Sequence, residues 1–234
     1  LYGINMHNSG LVIFDRFTLE NGNAVIFAKS GAGKSFTVKL EALRSLMFGT
    51  EIFIVDPENE YQRMCEAVGG AYVRLSLNSN TRINPFELPA VVDVEEADNA
   101  LRSNLITLHG LMRLMMGGAA AQASGGGGIA MGPGEEADLD AALIETYAKA
   151  GITNDPLTHN STPPTINDLY DTLLHMGGNG PQLAQRLRKY TSGTLAGIFS
   201  QQSNININNP MVVFNIRDLE DELRPVAMYI VLNY

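Results

Sequence analysis

Between Ala28 and Ser35 the chain reads Ala-Lys-Ser-Gly-Ala-Gly-Lys-Ser, and few folds accommodate that string. The pattern is Ala or Gly, four residues, then Gly-Lys-Ser, a phosphate-cradling loop that joins a strand to a helix. Gly31 and Gly33 let the backbone turn so that successive N–H groups point inward at phosphate oxygens. Lys34 sets an ammonium against the β- and γ-phosphates, and the Ser35 hydroxyl is a hard oxygen ligand for Mg²⁺. A helix opening near Lys34 adds its positive dipole end. Ser30, Gly31, Ala32, Gly33, Lys34, Ser35 and Phe36 are therefore expected to line a bound ATP or GTP. A dinucleotide fingerprint needs glycine where Phe36 stands, so that reading is excluded.

The flanks supply the context the loop requires. Leu11–Asp15 and Ala24–Phe27 are short continuous apolar runs that suit buried strands. After the loop, Phe36, Leu40, Leu43 and Met47 fall on one face of a helix that Gly49 would stop. Ile52–Val55 is a second buried strand, a short helix is expected around Tyr61–Ala67, and Ala71–Leu77 is a weaker strand. Strand, helix and strand at this spacing make a parallel unit with a crossover helix. From about Val94 to Gly193 the pattern becomes helical. Leu101, Leu105, Leu108, Met112 and Met115 form one apolar stripe, and Leu139, Leu143, Tyr147 and Ala150 another. Thr165 and Asp168 resemble a capping box, and Pro181 would open a helix to Tyr190. Strand character returns at Met211–Phe214, and a helix begins near Pro225. The fold class read from this is α/β, a mainly parallel sheet interrupted by an all-helical subdomain. Its expected parts are residues 1–90, a helical insertion 91–200 with a glycine-rich loop 117–134, and a return to the sheet domain over 201–234.

The chain has 234 residues, 45% of them hydrophobic, enough for one large core or a domain with an insertion. A net charge of -9 argues against strong non-specific nucleic-acid binding, which needs clustered Lys and Arg. The single cysteine, Cys65, has no internal disulfide partner, as a reducing compartment would favour. No apolar run is long enough for a membrane span. Leu1 at the start and the helix opening near the end give the expectation that both ends are cuts in a longer protein.

Asp56 follows four apolar residues in Asp56-Pro57-Glu58-Asn59-Glu60-Tyr61, at the carboxyl end of a strand, where open α/β sheets bind ligands. Asp56 is a candidate organiser of Mg²⁺. Alternatively, Asp56 or Glu60 assists in positioning water, making both candidate catalytic acids. The bland reading is that Asp56 or Asn59 caps a short helix.

The ordered set Gly31-Ala32-Gly33-Lys34-Ser35, then Ile54 to Tyr61, then Ile83-Asn84-Pro85-Phe86 resembles the VirB-type and TraC-type ATPases of type IV secretion and conjugative transfer, within the HerA–FtsK superfamily. The resemblance covers nearly the whole chain. It implies a RecA-like P-loop motor that hydrolyses ATP with Mg²⁺ to drive pilus assembly or substrate export. It further implies a homo-hexamer, other secretion-complex subunits as partners, and a cytoplasmic place at the bacterial inner membrane. Lys34 and Ser35 carry over as phosphate and Mg²⁺ residues, Asp56 and Glu60 as acids lining the site. The family's metal aspartate and catalytic glutamate follow the helix near Pro225, so the hydrolytic glutamate is expected beyond Tyr234. A DNA-pumping translocase of the same superfamily, with DNA contact, and a nucleotide-binding scaffold without turnover are the competing readings.

Other features carry less. Arg186, Arg188 and Lys189 form a basic cluster read as a solvated face, with an arginine finger as the alternative. His7, His109, His159 and His175 lack metal-ligand spacing. Met112, Met115 and Met116 read as helix core packing.

Overall fold

The structure is a computed structural model that describes residues 3–89, 94–117 and 131–233. It divides into two compact units, Leu1–Met47 and Phe48–Tyr234. The expected glycine-rich loop lies largely outside the described residues.

In the first unit, β1 (Gly3–Ile4) and β2 (Leu11–Val12) pair antiparallel. Asp15 caps a short 3-10 helix, Arg16–Thr18, by accepting the Phe17 N–H. Helix α1 spans Lys34–Leu46, and Gly49, with φ of 77°, follows its end. An Arg16–Glu41 ion pair of 2.6 Å ties the 3-10 helix to α1. Two expectations change here. Only Leu11–Val12 of the first apolar run is a strand, and it is exposed; Ala24–Phe27 has no strand ladder at all. A continuous apolar run becomes a buried strand only with sheet neighbours on both edges and cover on both faces. Among the described residues of this unit the only ladder is the two-residue β1–β2 pair.

The second unit is built on a three-stranded parallel sheet of order β3-β5-β4, with β3 at Ile52–Asp56, β4 at Ala71–Arg74 and β5 at Met211–Asn215. Helix α2 (Gln62–Ala67) connects β3 to β4, and β5 arrives later in the chain to lie between them. All five β5 residues are buried, as the middle strand of a covered parallel sheet requires. The register pairs Asp56 with Asn215 and Asn215 with Arg74, so all three strands end in polar residues at one edge.

Among the described residues, four α-helices run between β4 and β5: α3 (Val94–Met116), α4 (Pro133–Lys149), α5 (Ile166–His175) and α6 (Gly180–Thr191). A last helix, α7, spans Arg224–Asn233. Their starts follow local chemistry. Asp168 accepts the Thr165 N–H at 2.7 Å, closing the expected capping arrangement of α5. Glu135 accepts the Gly132 N–H at 3.0 Å, with Pro133 in the first turn of α4. Met112, Met115 and Met116 are buried in the core with Leu108, Leu139 and Leu143, which is the packing role expected of them. The segment Asn204–Asn208 is an irregular strap whose Ile205 and Ile207 pack on that core.

Ile83-Asn84-Pro85-Phe86 joins the Ile198–Ser203 stretch before the strap to the helical part. Asn84 is fully buried. Its Nδ2 donates to the Pro164 carbonyl (2.9 Å) and to Gln202 Oε1 (3.0 Å), and its Oδ1 accepts the Phe86 N–H (3.1 Å). Phe86 packs on Tyr147 of α4 with ring centroids 5.9 Å apart. The Tyr147 hydroxyl donates to the Phe86 carbonyl (2.8 Å) and accepts from Asn104 Nδ2 (2.7 Å). Burial raises the pKa of that phenol, so it stays a donor at any ordinary pH. Tyr147→Phe is expected to lower unfolding free energy by about 1–2 kcal/mol, because the buried Phe86 carbonyl loses its partner. Urea unfolding followed by circular dichroism reads that change directly.

Candidate functional site

The loop residues belong to the first unit. Gly31 and Gly33 have φ of +78° and +89°, left-handed values that cost an L-residue with a Cβ about 1–2 kcal/mol. No atom lies within 4 Å of where a Cβ would stand on either, so conformation, not crowding, calls for glycine. Gly33 is the N-cap of α1 and has no side chain to satisfy the first-turn N–H groups. Its carbonyl accepts the Thr37 N–H (2.9 Å) and hydroxyl (3.1 Å) instead. The Ala32 N–H turns back to the Lys29 carbonyl at 3.1 Å. The first N–H groups of α1 therefore face outward without intrahelical acceptors, as any helix start leaves them. Lys34 is exposed and makes no ion pair among the described residues. Such a loop fits a phosphate: left-handed glycines with open space before them, a helix start without a side-chain cap, and a free ammonium.

The second unit holds Asp56 and Glu60 at the carboxyl edge of its sheet. Asp56 is 1% exposed. Its Oδ1 accepts the N–H groups of Glu58 (3.3 Å) and Glu60 (3.1 Å), and Oδ2 that of Tyr61 (2.9 Å). The carboxylate thus shapes the whole Pro57–Tyr61 turn leading into α2, but it does not cap that helix as the bland reading expected: the N-cap is Tyr61, without a side-chain cap bond. Asn59, at φ +60°, does not cap that helix; its Oδ1 accepts the Tyr72 hydroxyl at 2.7 Å. Glu58 and Glu60 are exposed, and neither carboxylate is hydrogen-bonded among the described residues. Burial, then the negative charges of Glu60 and Asp56, raises the pKa of the Tyr61 phenol. At the neighbouring strand end, Arg74 Nε donates to Asp218 Oδ2 at 2.8 Å.

The basic cluster of α6 divides. Arg186 pairs with Glu135 at 2.8 Å, and Lys189 pairs with Glu222 while its ammonium lies 4.9 Å from the Tyr190 ring centre. Arg188 is exposed and without a partner among the described residues. No group of three or more potential metal-ligating side chains occurs among the described residues. Likewise, no helix among them is long and apolar enough to cross a membrane.

Sequence reasoning passed over Asn215. It is 1% exposed, and its Oδ1 accepts the Arg217 N–H at 3.3 Å while its buried Nδ2 has no partner among the described residues. The one available signal was a polar residue directly after an apolar strand, the same signal that marked Asp56.

Residues 11–111 match the TraG P-loop domain family. The fold is similar to VirB4 of Thermoanaerobacter pseudethanolicus, with a TM-score of 0.79 and 27% sequence identity over 99% of this chain. The chain spans 61% of that protein's chain. Comparison with curated proteins gives no match. A P-loop family match across the loop and the acidic strand end, joined to a structural likeness over nearly the whole of this chain, makes the chain similar to P-loop proteins of the VirB4/TraG type.

Proposed function

We propose that the chain binds Mg²⁺-ATP and hydrolyses it as the motor domain of a type IV secretion or conjugation machine, energising pilus assembly or substrate export. The observation that carries this is the left-handed Gly31–Gly33 turn capping α1, with Lys34 and Ser35 in the first helical turn. In this reading the N–H groups from Ser30 to Phe36 and the Lys34 ammonium hold the phosphates, and Ser35 supplies one oxygen to Mg²⁺. The metal supplies charge neutralisation on the phosphoryl oxygens when bound. Glu60 is the water-orienting acid, because its carboxylate is exposed and makes no hydrogen bond among the described residues. Asp56 holds the turn that presents Glu60, and the lone pair its three hydrogen bonds leave open is its remaining capacity toward the metal. Assembly as a homo-hexamer with other secretion subunits, at the cytoplasmic side of the bacterial inner membrane, belongs to the same reading.

The test is ATP turnover by the full-length protein with and without DNA. Mg²⁺-dependent turnover that DNA leaves within about twofold supports a secretion motor. Strong stimulation by DNA favours the translocase reading. Tight nucleotide binding with no turnover in the assembled complex favours the scaffold.

A further inference from the structure

The dipeptide Asn-Gly occurs twice, at Asn21-Gly22 and at Asn179-Gly180, and the fold treats the two differently. In any chain this pair carries one latent reaction. The amide nitrogen of the glycine attacks the asparagine Cγ; a C–N bond forms, the Cγ–Nδ2 bond breaks and ammonia leaves. Water then opens the cyclic imide at either carbonyl, giving aspartate or its backbone-extended isomer, isoaspartate. The balance is water in and ammonia out, with no oxidant or reductant. Glycine favours the step because no Cβ shields its nitrogen. A fold decides the rest by leaving the amide and its nucleophile free, or by engaging them.

At Asn21-Gly22 both are free. Asn21 is exposed, in a segment without helix or strand. Neither its Nδ2 nor the Gly22 N–H has a hydrogen-bond partner among the described residues. The Asn21 Oδ1 accepts the Asn23 N–H at 2.8 Å. The ring that this bond closes contains both the Asn21 Cγ and the Gly22 nitrogen, so the side chain is already folded toward its nucleophile. The donated N–H also polarises the carbonyl that is attacked. At Asn179-Gly180 both are engaged. The Asn179 Nδ2 and backbone N–H each donate to Asp138 Oδ2 at 2.9 Å. Gly180 is buried at the start of α6, and its N–H donates to the Gly177 carbonyl at 3.2 Å. Reaction there requires the helix start and the Asp138 contacts to open first.

We propose that Asn21-Gly22 is a self-modifying site, where the folded protein deamidates spontaneously to aspartate and isoaspartate, while Asn179-Gly180 is protected. Conversion adds one negative charge to a chain already at -9. The isoaspartyl product also lengthens the main chain by one carbon between the Arg16–Thr18 turn and the phosphate loop, within the first unit.

The test ages the folded full-length protein in neutral buffer beside a sample unfolded in guanidinium, and follows both sites by peptide mapping with mass spectrometry. In the unfolded sample the two dipeptides should react at comparable rates, which sets the chemical baseline. In the folded protein Asn21 should keep a rate within a few-fold of that baseline. Asn179 should fall about a hundredfold below it, the effect of having to open its hydrogen bonds before ring closure. Product at the first site should contain isoaspartate as well as aspartate, the mark of a cyclic imide. Asn21→Gln, which must close a larger ring, should lose the product at that site and leave Asn179 unchanged. Asn21 suppressed in the folded protein as strongly as Asn179 would overturn the proposal. Equal rates at the two sites in the folded protein would overturn it too, since the fold would then make no distinction between them.

Discussion

Lys34→Ala is expected to reduce kcat/KM for ATP by about 10²–10³-fold, the loss typical of one preorganised electrostatic donor aimed at developing charge. The folded chain should survive the change. Lys34 is exposed and makes no ion pair among the described residues, so its removal falls within the roughly 0.5 kcal/mol range of ordinary surface substitutions. That separation is what makes the experiment informative: equal melting temperatures without ATP, and a lost or much smaller ATP-induced rise in the variant. Lys34→Arg should rescue little. A planar guanidinium is larger and presents a rigid fork, where the proposed role asks for a compact point charge. Turnover by Lys34→Ala equal to the parent's would remove the loop from the mechanism and with it the ATPase reading.

Much of the second unit could be read from the chain alone, because local chemistry sets it. Ile52–Val55 and Met211–Phe214 are apolar runs without alternation, and each becomes a strand one residue longer; only the second is covered on both faces, as such a run leads one to expect, while Phe53 in the first stays exposed. Thr165, Asp168 and Pro181 mark helix starts that the backbone then uses. The phosphate loop was legible for the same reason, since its glycines answer a local conformational need. What could not be read depends on partners far along the chain. Nothing in Met211–Phe214 reveals that it slides between β3 and β4, and nothing near Arg186 announces Glu135. Ala24–Phe27 shows the converse failure: an apolar run states a willingness to be buried, while a ladder needs neighbours. Asp56 was legible as an important acid, but its three N–H bonds depend on the conformation of the turn after it.

Asn84→Ala is expected to cost about 3 kcal/mol of unfolding free energy, a large part of the roughly 5–15 kcal/mol that holds a domain together. Asn84 belongs to the Ile83-Asn84-Pro85-Phe86 motif, yet its contacts are those of a joint. The Phe86 N–H and the Pro164 carbonyl each lose a buried partner, at about 1–3 kcal/mol apiece. Gln202 is exposed and regains its hydrogen bond from water, so it adds little. The backbone bond from the Asn84 N–H to Ser203 Oγ, 2.8 Å, survives the substitution. Asn84→Asp should be no better. It keeps an acceptor for the Phe86 N–H but turns a buried negative oxygen toward the Pro164 carbonyl, where a donor stood. Urea unfolding followed through the helical signal should show a lower midpoint with the slope preserved. Below that midpoint, the ATP-induced stabilisation of the Asn84 variant should match the parent's, the reverse of the Lys34 pattern. An unchanged midpoint together with a lost ATP response would make Asn84 a ligand contact, and the bonds to Pro164 and Phe86 would then be dispensable to the fold.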